Sequence, residues 1–132
     1  MKALDTNVLV RFLVQDDRQQ AETVRQRLEE AESGQDVFYI SLLVVMELIW
    51  VLESVYEVSR KDLLDSLSAL LSMPIMRFEK QELMRTFVQA ASANTFDLSD
   101  LLIGLAARNA DCSGTLTFDK KAAKSPYFEW MG

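Results

Sequence analysis

Four carboxylates in this 132-residue chain stand where a charge is hardest to explain. Asp5 interrupts the apolar opening Leu4-Asp5-Thr6-Asn7-Val8-Leu9, and Glu47 is the single charge within Leu42 to Leu52. Asp100 precedes Leu101-Leu102-Ile103-Gly104-Leu105-Ala106-Ala107, and Asp119 closes Thr115-Leu116-Thr117-Phe118. An ionised carboxylate taken out of water is costly unless hydrogen bonds or a cation compensate it. Four such groups gathered around a hard cation make sense, because Mg²⁺ and Mn²⁺ take oxygen ligands, keep several waters and need few carboxylates. A centre of that kind activates water and neutralises charge on a phosphodiester. Taken singly, each acid also has a plain structural reading: a turn former at Asp5, the polar edge of a core helix at Glu47, a cap at Asp100 and the start of a β-turn at Asp119. Asp97 reads first as a helix N-cap and second as a supporting group at the metal. Thr6, Asn7 and Thr117 read as turn residues that orient the ligands. Arg11, Lys120, Lys121 and Lys124 are weaker candidates for holding phosphates, since each alone reads as part of a solvated face.

What the chain lacks narrows the chemistry. With no histidine, Ser-His-Asp and Cys-His nucleophiles, imidazole general bases and imidazole-bound metals are excluded. The one cysteine, Cys112, cannot form an internal disulfide or a thiolate cluster and reads as a small core residue. Twenty acidic against 14 basic residues give a net charge of −6, so the surface as a whole repels nucleic acid. A polyanionic substrate then needs local cations or bound metal, and direct sequence-specific DNA binding by this chain alone is not expected. The longest apolar run, Leu42 to Leu52, is well short of the roughly 20 residues that span a bilayer. A strand begins within three residues of Met1 and leaves no space for a secretion signal, so a cytoplasmic location is expected.

These acids need a frame, and the pattern supplies one: short apolar runs alternate with amphipathic helical stretches, as in α/β proteins with a largely parallel sheet. The length and a composition 49% hydrophobic and 26% charged suit a single domain over residues 1–132. A buried strand is predicted around Leu4, with Arg11 to Gln15 a short helical or turn segment. Gln19 to Glu32 carries Ala21, Val24, Leu28 and Ala31 on one helical stripe, stopped by Ser33-Gly34-Gln35. Val37 to Ile40 reads as a strand, Ser41 as the cap of the helix holding Glu47, and Ser59 to Asp62 as a capping box. Ile75 to Phe78 is a possible third strand, Glu79 to Ser92 a helix, and Asp97 the cap of the helix that carries Asp100. Thr115 to Phe118 reads as a strand ending in a carboxylate, as at Asp5, and Phe128 to Met131 as a small last one.

Leu4-Asp5-Thr6-Asn7-Val8-Leu9, the lone Glu47, Asp100 ahead of its apolar helix, and Thr117-Phe118-Asp119 together resemble the PIN-domain family, within it the VapC-type toxins of bacterial toxin-antitoxin pairs. The resemblance spans essentially the whole chain. It implies a parallel five-stranded sheet of order 3-2-1-4-5 flanked by helices, with Asp5 and Asp119 meeting where strands 1 and 4 adjoin. It further implies Mg²⁺- or Mn²⁺-dependent endoribonuclease activity, homodimerisation and inhibition by a cognate antitoxin protein, with Asp5, Glu47, Asp100 and Asp119 as the metal-holding catalytic acids. Where many relatives carry a further acid or aromatic after the last motif, this chain has Lys121 and Ala122. Two other classes fit parts of the pattern. An aspartyl-phosphate phosphohydrolase or receiver-like phospho-acceptor also places an Asp after an early strand, but the former wants a second Asp where Asn7 stands. A non-catalytic module could use the acids to bind a basic partner.

Overall fold

The chain turns into a helix sooner than its apolar opening predicts. In a computed structural model that describes all 132 residues, the first strand (β1) is only Lys2–Ala3, and helix α1 already runs from Thr6 to Val14. Asp5 is the reason. Its backbone is extended at φ −82° and ψ 162°, and its side chain accepts a hydrogen bond from the Thr6 amide at 2.8 Å. That bond satisfies one of the amide groups a helix start leaves without partners. Val8 to Val10 are therefore helical, and Leu9 and Val10 are buried.

The residues fall into two compact units, Met1–Gln81 and Glu82–Gly132. In the first, α1 is followed by α2 (Arg18–Ser33), β2 (Phe38–Ile40), α3 (Leu42–Ser54), α4 (Arg60–Leu71) and β3 (Met76–Phe78). The three strands form a parallel sheet of order β1-β2-β3, with Lys2 opposite Phe38 and Phe38 opposite Met76. Asp5, Ser41 and Glu79 thus follow the carboxyl ends of the three strands, the edge where open α/β sheets carry their sites. Two of these residues build α3: the Ser41 hydroxyl accepts from the Val44 amide at 3.2 Å, and a Glu79 carboxylate oxygen accepts from the Leu42 amide at 2.8 Å. Behind that edge, Val45, Leu48, Ile49 and Leu52 of α3 and Leu63, Leu67 and Leu70 of α4 are buried, as a period of three to four residues requires.

The second unit contains nearly all of α5 (Gln81–Ser92), then α6 (Leu98–Asn109), β4 (Thr115–Thr117), a 3-10 turn at Ala122–Lys124 and β5 (Phe128–Trp130). β4 and β5 pair in parallel, with Thr117 opposite Trp130. Gly104 lets α6 approach the segment entering β5, since a Cβ there would stand 2.7 Å from the Tyr127 Cβ. Arg108, one turn on, lays its guanidinium over the Tyr127 ring at 4.3 Å.

Three expectations are corrected. The five strands form a three-stranded and a two-stranded sheet, not one sheet of order 3-2-1-4-5, and β1 and β4 are not hydrogen-bonded neighbours. β1, two residues long, pairs only with β2, and β4, three residues long, only with β5. Helix formation starts at Thr6 rather than near Arg11. Cys112 is exposed in the turn after α6 rather than packed in a core. No helix is long and apolar enough to cross a membrane.

Candidate metal centre

Each unit brings together part of the acidic set. In the first, Asp5 at the start of α1 and Glu47 in the middle of α3 line one cavity of about 260 Å³ with Thr6, Asn7, Arg11 and Tyr56, while Val10, Val51 and Val55 supply apolar wall. Both acids are exposed to solvent, which corrects their reading as buried anions. Asp5 escapes burial by capping α1, its carboxylate accepting from the Thr6 amide. Glu47 escapes it because the neighbouring Val45 and Leu48 turn to the core and leave position 47 on the outer face.

Thr6 is the polar anomaly of the cavity. It is only 5% exposed, and its hydroxyl oxygen is buried without a hydrogen-bond partner. A buried hydroxyl that forgoes its bond costs about 1–3 kcal/mol.

Arg11 stands in the same cavity, held away from the acids by neighbours that sequence reading did not single out. Its Nε donates to the Gln20 amide oxygen, and its Nη1 to Asp16 at 3.3 Å and to the Tyr56 hydroxyl at 3.4 Å. The Tyr56 hydroxyl in turn donates to Asp16 at 2.9 Å. Asp16 and Tyr56 are 40 positions apart, so no local pattern announces the pair. Glu79, another acid at the carboxyl edge, carries no such promise, because its oxygen is engaged at the start of α3.

In the second unit Asp97, Asp100 and Asp119 act on one another. Asp97 caps α6 by accepting from the Asp100 amide at 3.0 Å, as its position before an apolar helix predicts. Asp100 is half-buried, and burial, then the Asp97 and Asp119 carboxylates, push its pKa above the ordinary aspartate value while Lys121 pulls it back. Asp119 is exposed, again against its reading as buried. Its backbone amide donates to the Thr117 hydroxyl at 2.9 Å, and its own Oδ1 accepts from the amides of Lys121 and Ala122 at 2.9 and 3.2 Å. One carboxylate oxygen is thereby fixed by the turn. Lys120 lies over the Trp130 ring at 5.6 Å, and Lys124 is exposed.

The donors suit a hard divalent cation. They are carboxylate and hydroxyl oxygens with no imidazole or thiolate among them. Within neither unit do three or more acidic side chains form a group that could hold a metal ion.

The model of the family described as PIN domain matches residues 2–126. Over 124 residues the chain is 25% identical to a VapC ribonuclease of Aquifex aeolicus (strain VF5), covering 94% of this chain and 91% of that protein. No solved structure gives a match.

Proposed function

Because the chain belongs to the PIN domain family, we propose that it is a divalent-cation-dependent endoribonuclease, the toxin component of a type II toxin-antitoxin pair. The observation that carries this reading is the cavity lined by Asp5 and Glu47, with an unpaired buried hydroxyl at Thr6 and a braced guanidinium at Arg11. The ribonuclease description of the Aquifex aeolicus relative supports RNA as the substrate.

In this reading residues 1–132 are a single nuclease domain, and Asp5, Glu47, Asp100 and Asp119 hold Mg²⁺ or Mn²⁺ directly or through water. When bound, such a cation neutralises charge on a phosphodiester and makes water a stronger acid. The chain's own groups set the stage. The start of α1 fixes the direction of Asp5 through the bond from the Thr6 amide. Burial and the Asp97 and Asp119 carboxylates raise the pKa of Asp100, so a nearby positive charge would favour its ionised form. Arg11 offers its guanidinium to an RNA phosphate, and Tyr56 and Asp16 keep it from collapsing onto the acids. The Thr117 hydroxyl sets the turn that presents Asp119. The protein acts in the cytoplasm as a homodimer, silenced by a cognate antitoxin.

Purified protein with Mn²⁺ or Mg²⁺ is expected to cut a structured RNA, and EDTA or Asp5→Asn to abolish cutting. Asparagine caps helices as well as aspartate does, so this variant removes the charge and keeps α1. Equal cleavage by the wild type and Asp5→Asn would overturn the assignment. For the toxin role, expression should arrest growth, and co-expression of a short neighbouring reading frame should relieve it.

A further inference from the structure

The second unit exposes aromatic surface that carboxylate chemistry does not use. Phe118, directly before Asp119, is 71% exposed, and Trp130 on β5 is 44% exposed. The pairing of Thr117 with Trp130 sets the two rings side by side, with centroids 6.4 Å apart and planes at 84°. In this edge-to-face pair one ring's edge covers part of the other's face, and Lys120 lies over Trp130, so the ring surface left open to a third planar group is chiefly that of Phe118. Leu116, on β4, is also exposed. A contiguous patch of this kind marks a binding surface more often than scattered exposed residues do.

Its charge says what it binds. Lys120 sits over Trp130, and Lys121 and Lys124 follow, three cations within five residues of a chain whose net charge is −6. Flat apolar faces interleaved with lysines suit a ligand that alternates aromatic rings with phosphates, which is single-stranded nucleic acid. A paired helix buries its base faces and leaves nothing for the rings to stack on. We infer that Phe118 and Trp130, flanked by Lys120, form a stacking platform that receives an unpaired base of the RNA and seats the strand beside Asp119. The inference rests on the ribonuclease reading for the identity of the strand, and it makes unpaired RNA the preferred substrate.

The test measures binding of a labelled unstructured RNA oligonucleotide, alone and annealed to its complement, with Mg²⁺ in an Asp5→Asn background. The single strand should bind more tightly than the duplex. Phe118→Ala and Trp130→Ala should each weaken single-strand binding by about tenfold, from a stacking contribution of about 1–3 kcal/mol per base. Phe118→Tyr and Trp130→Phe should retain it, Phe118→Leu should not, and Lys120→Ala should lower the salt slope by about 0.7. Unchanged binding in both alanine variants overturns the platform, as does full binding by Phe118→Leu. So does loss of self-association in sedimentation with RNA binding intact, which would make the patch a protein interface. Wild-type protein that cuts RNA while the ring variants cut equally well sinks the platform alone. Ring-dependent binding by a protein that cuts nothing sinks the nuclease reading and leaves the platform standing.

Discussion

Asp100 is the acid whose surroundings work hardest against its charge. Burial and the Asp97 and Asp119 carboxylates raise its pKa in the folded chain, so the native state holds that proton more tightly than the unfolded one. The stability this contributes is fully present below the unfolded aspartate value and is lost as pH rises through the folded value. At neutral pH, without metal, ionised Asp100 therefore destabilises the fold. Asp100→Asn should melt higher than wild type in EDTA at pH 7, and wild type should lose melting temperature relative to the variant as pH rises through that window. Activity should vanish in the same variant. A lower melting temperature for Asp100→Asn would show that the carboxylate serves the fold instead of the site. At Arg11 the prediction concerns geometry. Tyr56→Phe removes the hydroxyl that bridges Arg11 and Asp16. Losing a contact worth about 1 kcal/mol should raise KM for RNA by about fivefold with little change in kcat.

At the scale of elements, the site depends on how helices start and how closely they approach their neighbours. Glu47 is aimed by α3, whose first amides are bonded by Ser41 and Glu79. Ser41→Ala should cost about 1 kcal/mol in urea unfolding, the usual value of a lost N-cap. Gly104 presents opposing effects. Alanine there gains about 1 kcal/mol of helix propensity, but its Cβ meets Tyr127 at 2.7 Å, and overpacking of that kind costs about 1–3 kcal/mol. The clash is with a Cβ atom, which cannot swing away, so Gly104→Ala should be net destabilising by urea unfolding.

For the whole molecule, a cation that binds only the folded chain must stabilise it by mass action. At about 100 times its Kd, Mn²⁺ should add about 2.7 kcal/mol. Calorimetric melts should show that increment in wild type and not in Asp5→Asn or Asp100→Asn, and an equal shift in all three would place the ion elsewhere. The net charge of −6 makes any RNA encounter unfavourable away from the local cations.

Much of this was determined by the sequence by itself. The absence of histidine restricted the donors to oxygen, Ser41, Ser59 and Asp97 marked three helix starts, and the stripe of Ala21, Val24, Leu28 and Ala31 fixed which face of α2 turns inward. These are local matters of period and capping, which neighbours in the chain decide. Burial was not local. Asp5, Glu47 and Asp119 looked costly because apolar residues adjoin them in sequence, yet all three are exposed: Asp5 caps a helix, Asp119 stands in a turn, and a helix can turn Glu47 outward between two positions that turn in. The division into two sheets also lay beyond the sequence, because strand pairing depends on which strands meet in space. Only the tertiary structure brought Tyr56 to Arg11, left the Thr6 hydroxyl without a partner, and set Phe118 and Trp130 edge to face in the open, because long-range contacts carry no signature in the residues that make them.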